Sequence, residues 1–251
     1  MTNTRNQAAA LNNIGVAFLE LGDKHQAETH FQAAIGIARG SIHSTSDNAT
    51  RSPQGPIQNG MGRALLAAER LAPLDLTKTH SLFSNTSSSF VRTQGLSIPT
   101  TSIFSNAPLV DQIICSSIVL FNLAVVYHEK GTENCAMSDQ YLRKARLFYE
   151  NSYKLLEGTG FAVLGSCTGN PFVDVLEMSI LNNLVHINFE LSDYAQSELY
   201  RHRLVHYIVC TGAIASYYPD DLPLASLLEK ERSNFLLNLV VTLTPPHAKA
   251  A

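Results

Sequence analysis

The residues best equipped for chemistry fall in three places. His202, His206 and Cys210 recur every four residues and share one side of a helix, a spacing that suggests metal ligation. Positions eight apart on a helix are separated by about 12 Å, so His202 and Cys210 cannot reach one ion, and a third ligand must come from elsewhere. His186 is the candidate. Two histidines four apart, without the intervening glutamate of a metalloprotease helix, otherwise read as packed or solvated side chains. The second place is Gly165-Ser166-Cys167-Thr168-Gly169, which has the outline of a nucleophile elbow with Cys167 at its centre. Such an elbow needs a strand before it and a helix right after it, yet Asn170-Pro171 follow, so the run reads as a glycine-rich connector. The third place is a set of four asparagines, Asn13, Asn122, Asn183 and Asn238. Each precedes an apolar residue and then a small or apolar one, which puts all four at one position on a helical face. An asparagine offers a carbonyl acceptor and two amide donors. A ladder of them can satisfy the backbone of an extended peptide of any sequence, or the amides can pair between adjacent helices and bind nothing.

Helices must position these groups, and the stretch 11–35, LNNIGVAFLELGDKHQAETHFQAAI, shows how. Leu11, Ile14, Gly15 and Phe18 recur at helical spacing, and Ala27, Phe31, Ala34 and Ile35 do so beyond a turn at Gly22-Asp23. Gly15, Ala27 and Ala34 let two backbones approach while Leu11, Phe18 and Phe31 fill the space between, as in a helix hairpin. A first pair is therefore expected over 4–40, with Gly40 as its stop. Residues 109–157 repeat the pattern: Leu120, Leu123, Ala124 and Tyr127 stand for Leu11, Ile14, Gly15 and Phe18, Gly131 is expected to break the helix, and Ala145 and Tyr149 match Ala27 and Phe31. A third pair is expected over 172–217, where LNNLVHINFEL echoes LNNIGVAFLEL before a turn at Ser192-Asp193. Its return helix departs, with Ser197, Arg201 and Leu204 in place of Ala27, Phe31 and Ala34. A capping helix over 222–243 ends before Pro245-Pro246.

Between the first two pairs lies an insertion, 41–108. Its first third is rich in Ser, Thr, Asn, Gly and Pro and reads as a flexible excursion. Further on, residues 89–93 and 96–98 alternate around Gln94-Gly95, which gives a small hairpin pattern, a serine-rich loop being the other reading. The expected fold is thus all-α, a single domain over 1–251 with antiparallel helix pairs and a long loop insertion.

Composition narrows the function. The chain has 251 residues, 45% hydrophobic, with 18 Lys and Arg against 21 Asp and Glu and a net charge of -3. That balance supplies no basic surface for nucleic acid or anionic membrane, and the apolar stretches read as too short and too interrupted to span a bilayer. Cys115, Cys135, Cys167 and Cys210 are scattered, so reduced thiols and a cytoplasmic location, or a nuclear one, are expected. Glu129, Glu150, Glu157, Glu177 and Glu190 read as single solvated charges at helix ends or on polar faces, with no acid–base pair among them. No cofactor is implied.

The stretch 11–35 resembles a tetratricopeptide repeat, with Leu11 where that family favours tryptophan, Phe18 where it favours tyrosine and Arg39 where a proline usually ends the repeat. The asparagines are 109, 61 and 55 residues apart, far from the regular period of about 34. The chain resembles lineage-expanded algal proteins of this kind, a likeness that carries no known activity. The family resemblance implies an α-solenoid and a noncatalytic scaffold that receives a peptide or partner helix in its concave groove. It puts Asn12, Asn13, Val16, Phe121, Asn122, Val125, His128, Asn182, Asn183, His186 and Asn238 on the groove face. Chaperone-binding members clamp a terminal carboxylate with lysines and an arginine beside such asparagines. Few cations lie on this face, so an acidic chain terminus is not the expected ligand. A metal-dependent or cysteine-based enzyme on a helical frame is the alternative.

Overall fold

The computed structural model describes residues 2–43, 93–99, 108–134, 136–158, 171–215, 232–236 and 238–239. They form an all-α fold of long helices in adjacent antiparallel pairs: α1 (Thr2–Glu20) with α2 (Lys24–His43), α3 (Pro108–Glu133) with α4 (Ser138–Gly158), and α5 (Pro171–Glu190) with α6 (Tyr194–Ala215). The pairs stack. α3 touches both helices of the first pair, and α5 touches both helices of the second, so α1, α3 and α5 line up along one side. Residues 232–236 and 238–239 are helical as well.

The first pair closes as its side chains dictate. Phe31, Ala27 and Ala34 are fully buried. A Cβ on Gly15 would lie 2.6 Å from Phe31 Cε1, so the missing side chain is what admits the ring. At the turn Gly22 takes φ 79°, Gly22 N–H donates to Leu19 C=O at 3.0 Å and Asp23 N–H to Phe18 C=O at 2.9 Å, closing the last turn of α1. Asp23 then caps α2 by accepting from Gln26 N–H at 3.0 Å. The third pair reproduces this with Ser192 at φ 59°, Asp193 N–H on Asn188 C=O at 2.8 Å, and Asp193 accepting from Gln196 N–H at 3.3 Å.

Several expectations are corrected. α2 continues through Gly40 to His43, since a single helical glycine costs about 1 kcal/mol and does not by itself end a helix. α3 likewise runs through Gly131 to Glu133. A Cβ there would sit 2.9 Å from Leu142 Cγ and Cδ2, so Gly131 serves close packing against α4 rather than a break. By length and composition Val110–Glu133 is apolar enough to cross a membrane, although its stretch looked too interrupted, and most of it is buried inside the protein. The hairpin also fails where it is described. Residues 93–99 carry no strand, because the backbone of Leu96 and Ile98 is bonded to asparagine side chains instead of a neighbouring strand. Residues 44–92, including 89–92 of that pattern and most of the excursion, lie outside the described residues, as do Cys135, Cys167 and much of the expected capping helix.

Candidate asparagine groove

The asparagine face is built where α1 and α3 run side by side. The helical stagger brings Asn12 and Asn13 of α1 opposite Asn122 of α3, and Asn122 Nδ2 donates to Asn12 Oδ1 at 2.8 Å. Between the two helices lies the chain's own segment 93–99. Asn122 clasps Leu96 from both sides, accepting from its N–H at 2.7 Å and donating to its C=O at 2.8 Å. Asn12 Nδ2 reaches the same carbonyl at 2.9 Å. One step of two residues along, Asn13 treats Ile98 in the same way, accepting from its N–H at 2.7 Å and donating to its C=O at 2.9 Å. In an extended chain, residues two apart turn their backbone groups the same way, so three side chains act as the edge of a strand. The amides were expected either to hold a peptide ligand or to pair between helices, and in this half they pair between helices and also hold the chain's own backbone, which neither reading named.

The apolar side of the segment is equally engaged. Ile98 and Leu96 are buried, 1% and 8% exposed, in the continuous core. Gly95 passes so close to α1 that a Cβ would lie 3.0 Å from Val16 Cγ2. Val16, Phe121 and Val125, expected on the groove face, are interior residues. Arg5 pairs with the buried Asp111 and reaches Pro99 C=O at 3.4 Å, at the end of the segment.

Farther along, the described partners on the same face are side chains. Asn183 Nδ2 donates to Tyr149 Oη at 2.9 Å, Asn182 Nδ2 to Asn183 Oδ1 at 3.2 Å, and Asn238 Nδ2 to Asn182 Oδ1 at 3.2 Å. His128 Nε2 and His186 Nδ1 are hydrogen-bonded at 3.1 Å, with Tyr149 Oη 3.5 Å from His128 Nδ1. Burial holds His128 neutral, well below the ordinary histidine range, with His186 adding to the effect, and burial lowers His186 too.

The helical metal stripe does not assemble. His202 is exposed and pairs with Glu198 at 2.9 Å, His206 lies 3.8 Å from Cys210 Sγ, and His186 is engaged with His128. Among the described residues no three His, Cys, Asp or Glu converge on one point.

Sequence reasoning missed two polar joints. Glu28 of α2 receives Tyr127 Oη and Lys130 Nζ from α3, and Lys144 Nζ of α4 donates to Tyr127 Oη at 2.6 Å, fastening three helices. Glu177 was expected on a polar face, but it is buried, as is Asp174, which accepts from Tyr207 Oη at 2.6 Å. Burial pushes the Glu177 carboxyl up to about 7, helped by the Asp174 and Glu157 charges. The reason is that α5 is apolar all round, with Val173, Leu176, Met178 and Ile180 fully buried, so it has no polar face to offer. That all-round apolarity was the signal available.

A tetratricopeptide-repeat family model matches residues 8–41, which span nearly all of the first helix pair. No curated protein and no solved structure matches the chain. Tetratricopeptide repeats generally mediate protein–protein interaction and are typically non-enzymatic.

Proposed function

We propose that this tetratricopeptide-like helical repeat protein is a noncatalytic interaction scaffold whose groove between α1 and α3 holds a partner's peptide in extended form. The observation that carries the reading is the pair of two-point clasps by Asn13 and Asn122 on alternate residues of an extended backbone. Such contacts use only groups that every non-proline residue carries, so they supply affinity without demanding a sequence. Asn182, Asn183, His186 and Asn238 continue the same face toward the third pair, where their described bonds are to other side chains. The free thiols Cys115 and Cys210 fit a reducing compartment, the cytoplasm or nucleus.

Panning a phage library of random heptapeptides tests this reading. Enrichment is expected on the wild-type protein and should disappear on Asn13→Ala/Asn122→Ala once circular dichroism shows that the variant is folded. Equal recovery of the same peptides on both proteins would overturn it.

A further inference from the structure

We propose that residues 93–99 are a tethered occupant of this groove, and that the partner displacing them is an extended segment with the order glycine, apolar, any residue, apolar. The inference rests on the scaffold reading and adds the chemistry of the partner. At the two apolar positions, those of Leu96 and Ile98, both N–H and C=O are consumed by asparagines, so neither accepts proline. Their side chains enter the core, which asks for aliphatic residues of that size. The position before the first favours glycine. A Cβ there would meet Val16 Cγ2 at 3.0 Å, Val16 Cγ1 at 3.3 Å and Leu19 Cδ2 at 3.4 Å, so that α1 and the segment must part slightly and the amide bonds lengthen. Proline is suited to the last position, as Pro99 shows, where only the carbonyl is used.

Displacement is possible because the segment is held by side-chain amides rather than by a ladder within a sheet. Every one of those five bonds can be remade by another backbone of the same form. The segment is joined to α2 through residues 44–92 and to α3 through 100–107. An occupant on the same chain competes intramolecularly, at a fixed effective concentration that a free partner must exceed. A partner therefore binds more weakly to the wild-type chain than its contacts alone allow, by the factor that the occupant imposes.

The test titrates a fluorescein-labelled synthetic peptide of residues 93–99, followed by fluorescence anisotropy, against the full chain and two variants. Leu96→Asp/Ile98→Asp expels the chain's own segment, and Gly95→Val loosens it without placing charge in the core. Both variants should bind the peptide at least tenfold more tightly than wild type. A peptide N-methylated at its Leu96 or Ile98 position should not bind, and one with alanine at the Gly95 position should bind several-fold more weakly. If the double variant does not fold, Gly95→Val decides alone. A folded variant that ignores the peptide up to millimolar concentration overturns the proposal. A wild-type dimer that the peptide converts to monomer would overturn it as well, because the occupant would then come from a second copy. The two readings fail separately. Equal capture of library peptides by wild type and Gly95→Val would leave the scaffold standing and remove the occupant. Binding of the 93–99 peptide by Gly95→Val, with no library peptide captured by any form, would leave the occupant and remove the wider scaffold.

Discussion

Among the described residues, the asparagine face holds a backbone in one half of the helical stack, and in the other its amides meet side chains. Asn12, Asn13 and Asn122 surround residues 96–98, whereas Asn183 is turned to Tyr149 and Asn182 to Asn183 and Asn238. The two halves begin from nearly the same words, Leu-Asn-Asn-Ile and Leu-Asn-Asn-Leu. Their difference lies in what the neighbouring helix presents. Opposite Asn12 stands another asparagine, Asn122, which bonds it directly and still has an acceptor and a donor to spare for the segment 93–99. Opposite Asn183 stands the phenol of Tyr149, long enough to reach it directly. The motif therefore fixes a supply of donors and acceptors, while the residue across the gap decides which of them are met by a side chain.

The comparison breaks most sharply at Asn122. Asn122→Ala leaves the Leu96 N–H unpaired beside the core and removes a bond from each of two acceptors, which should cost about 3 kcal/mol in a urea melt. Hydrogen exchange should then show the Leu96 and Ile98 amides losing protection. Asn183→Ala should leave those two amides as protected as in wild type. Faster exchange at Leu96 in the Asn183 variant would mean that the halves are not independent.

A smaller effect separates the halves by pH. The Glu177 carboxyl of the third pair, pushed up to about 7, is protonated in the fold at a pH where the unfolded chain has already ionised. Because its folded value is raised, its favourable contribution is complete below about pH 4.5 and is lost as pH climbs through about 7. The loss is on the order of 2–3 kcal/mol. The lowered histidines work the other way, losing stability as pH falls below their ordinary 6.5. Subtracting urea melts of Glu177→Gln from those of wild type at pH 5 and pH 8 isolates the carboxyl. An unchanged difference between the two pH values would show that Glu177 is not the group responsible.

The smallest predicted effect compares the two tight turns. Ser192 adopts the left-handed backbone that Gly22 adopts without a side chain. Ser192→Gly should therefore stabilise by about 1 kcal/mol, and Gly22→Ala should destabilise by a similar amount. For a chain of this size that corresponds to about 2–4 °C in Tm, in opposite directions. Equal signs would show that the turns are not equivalent despite sharing the same hydrogen bonds.

How much of this was legible follows the range of the forces. The helices, their pairing, the Gly22-Asp23 and Ser192-Asp193 turns and the contact of Gly15 with Phe31 could all be read from apolar spacing and small residues. Those depend on neighbours within one hairpin. The third pair's departure was legible in part: Ser197 stands at the place of Ala27 and sends its hydroxyl to Val185 C=O at 2.9 Å, a bond between helices that the spacing did not specify. Gly131 was misread because a glycine that ends a helix and a glycine that admits Leu142 look the same until the partner helix is in place. Glu177 was misread because it was judged as a single charge, when its own helix, buried on every side, leaves it no solvated face.

For the asparagines, the sequence by itself determined their repetition on one helical face and their capacity to hold an extended backbone. Only the tertiary structure decided which backbone that is. Leu96 lies 84 residues from Asn12 and 26 from Asn122, and Ile98 lies 85 from Asn13. No local pattern links such positions, because a side-chain amide bonds equally well to any carbonyl or N–H brought within 3 Å of it. What brings these within reach is the stacking of α3 on α1, together with the burial of two apolar side chains that a hairpin would also have used.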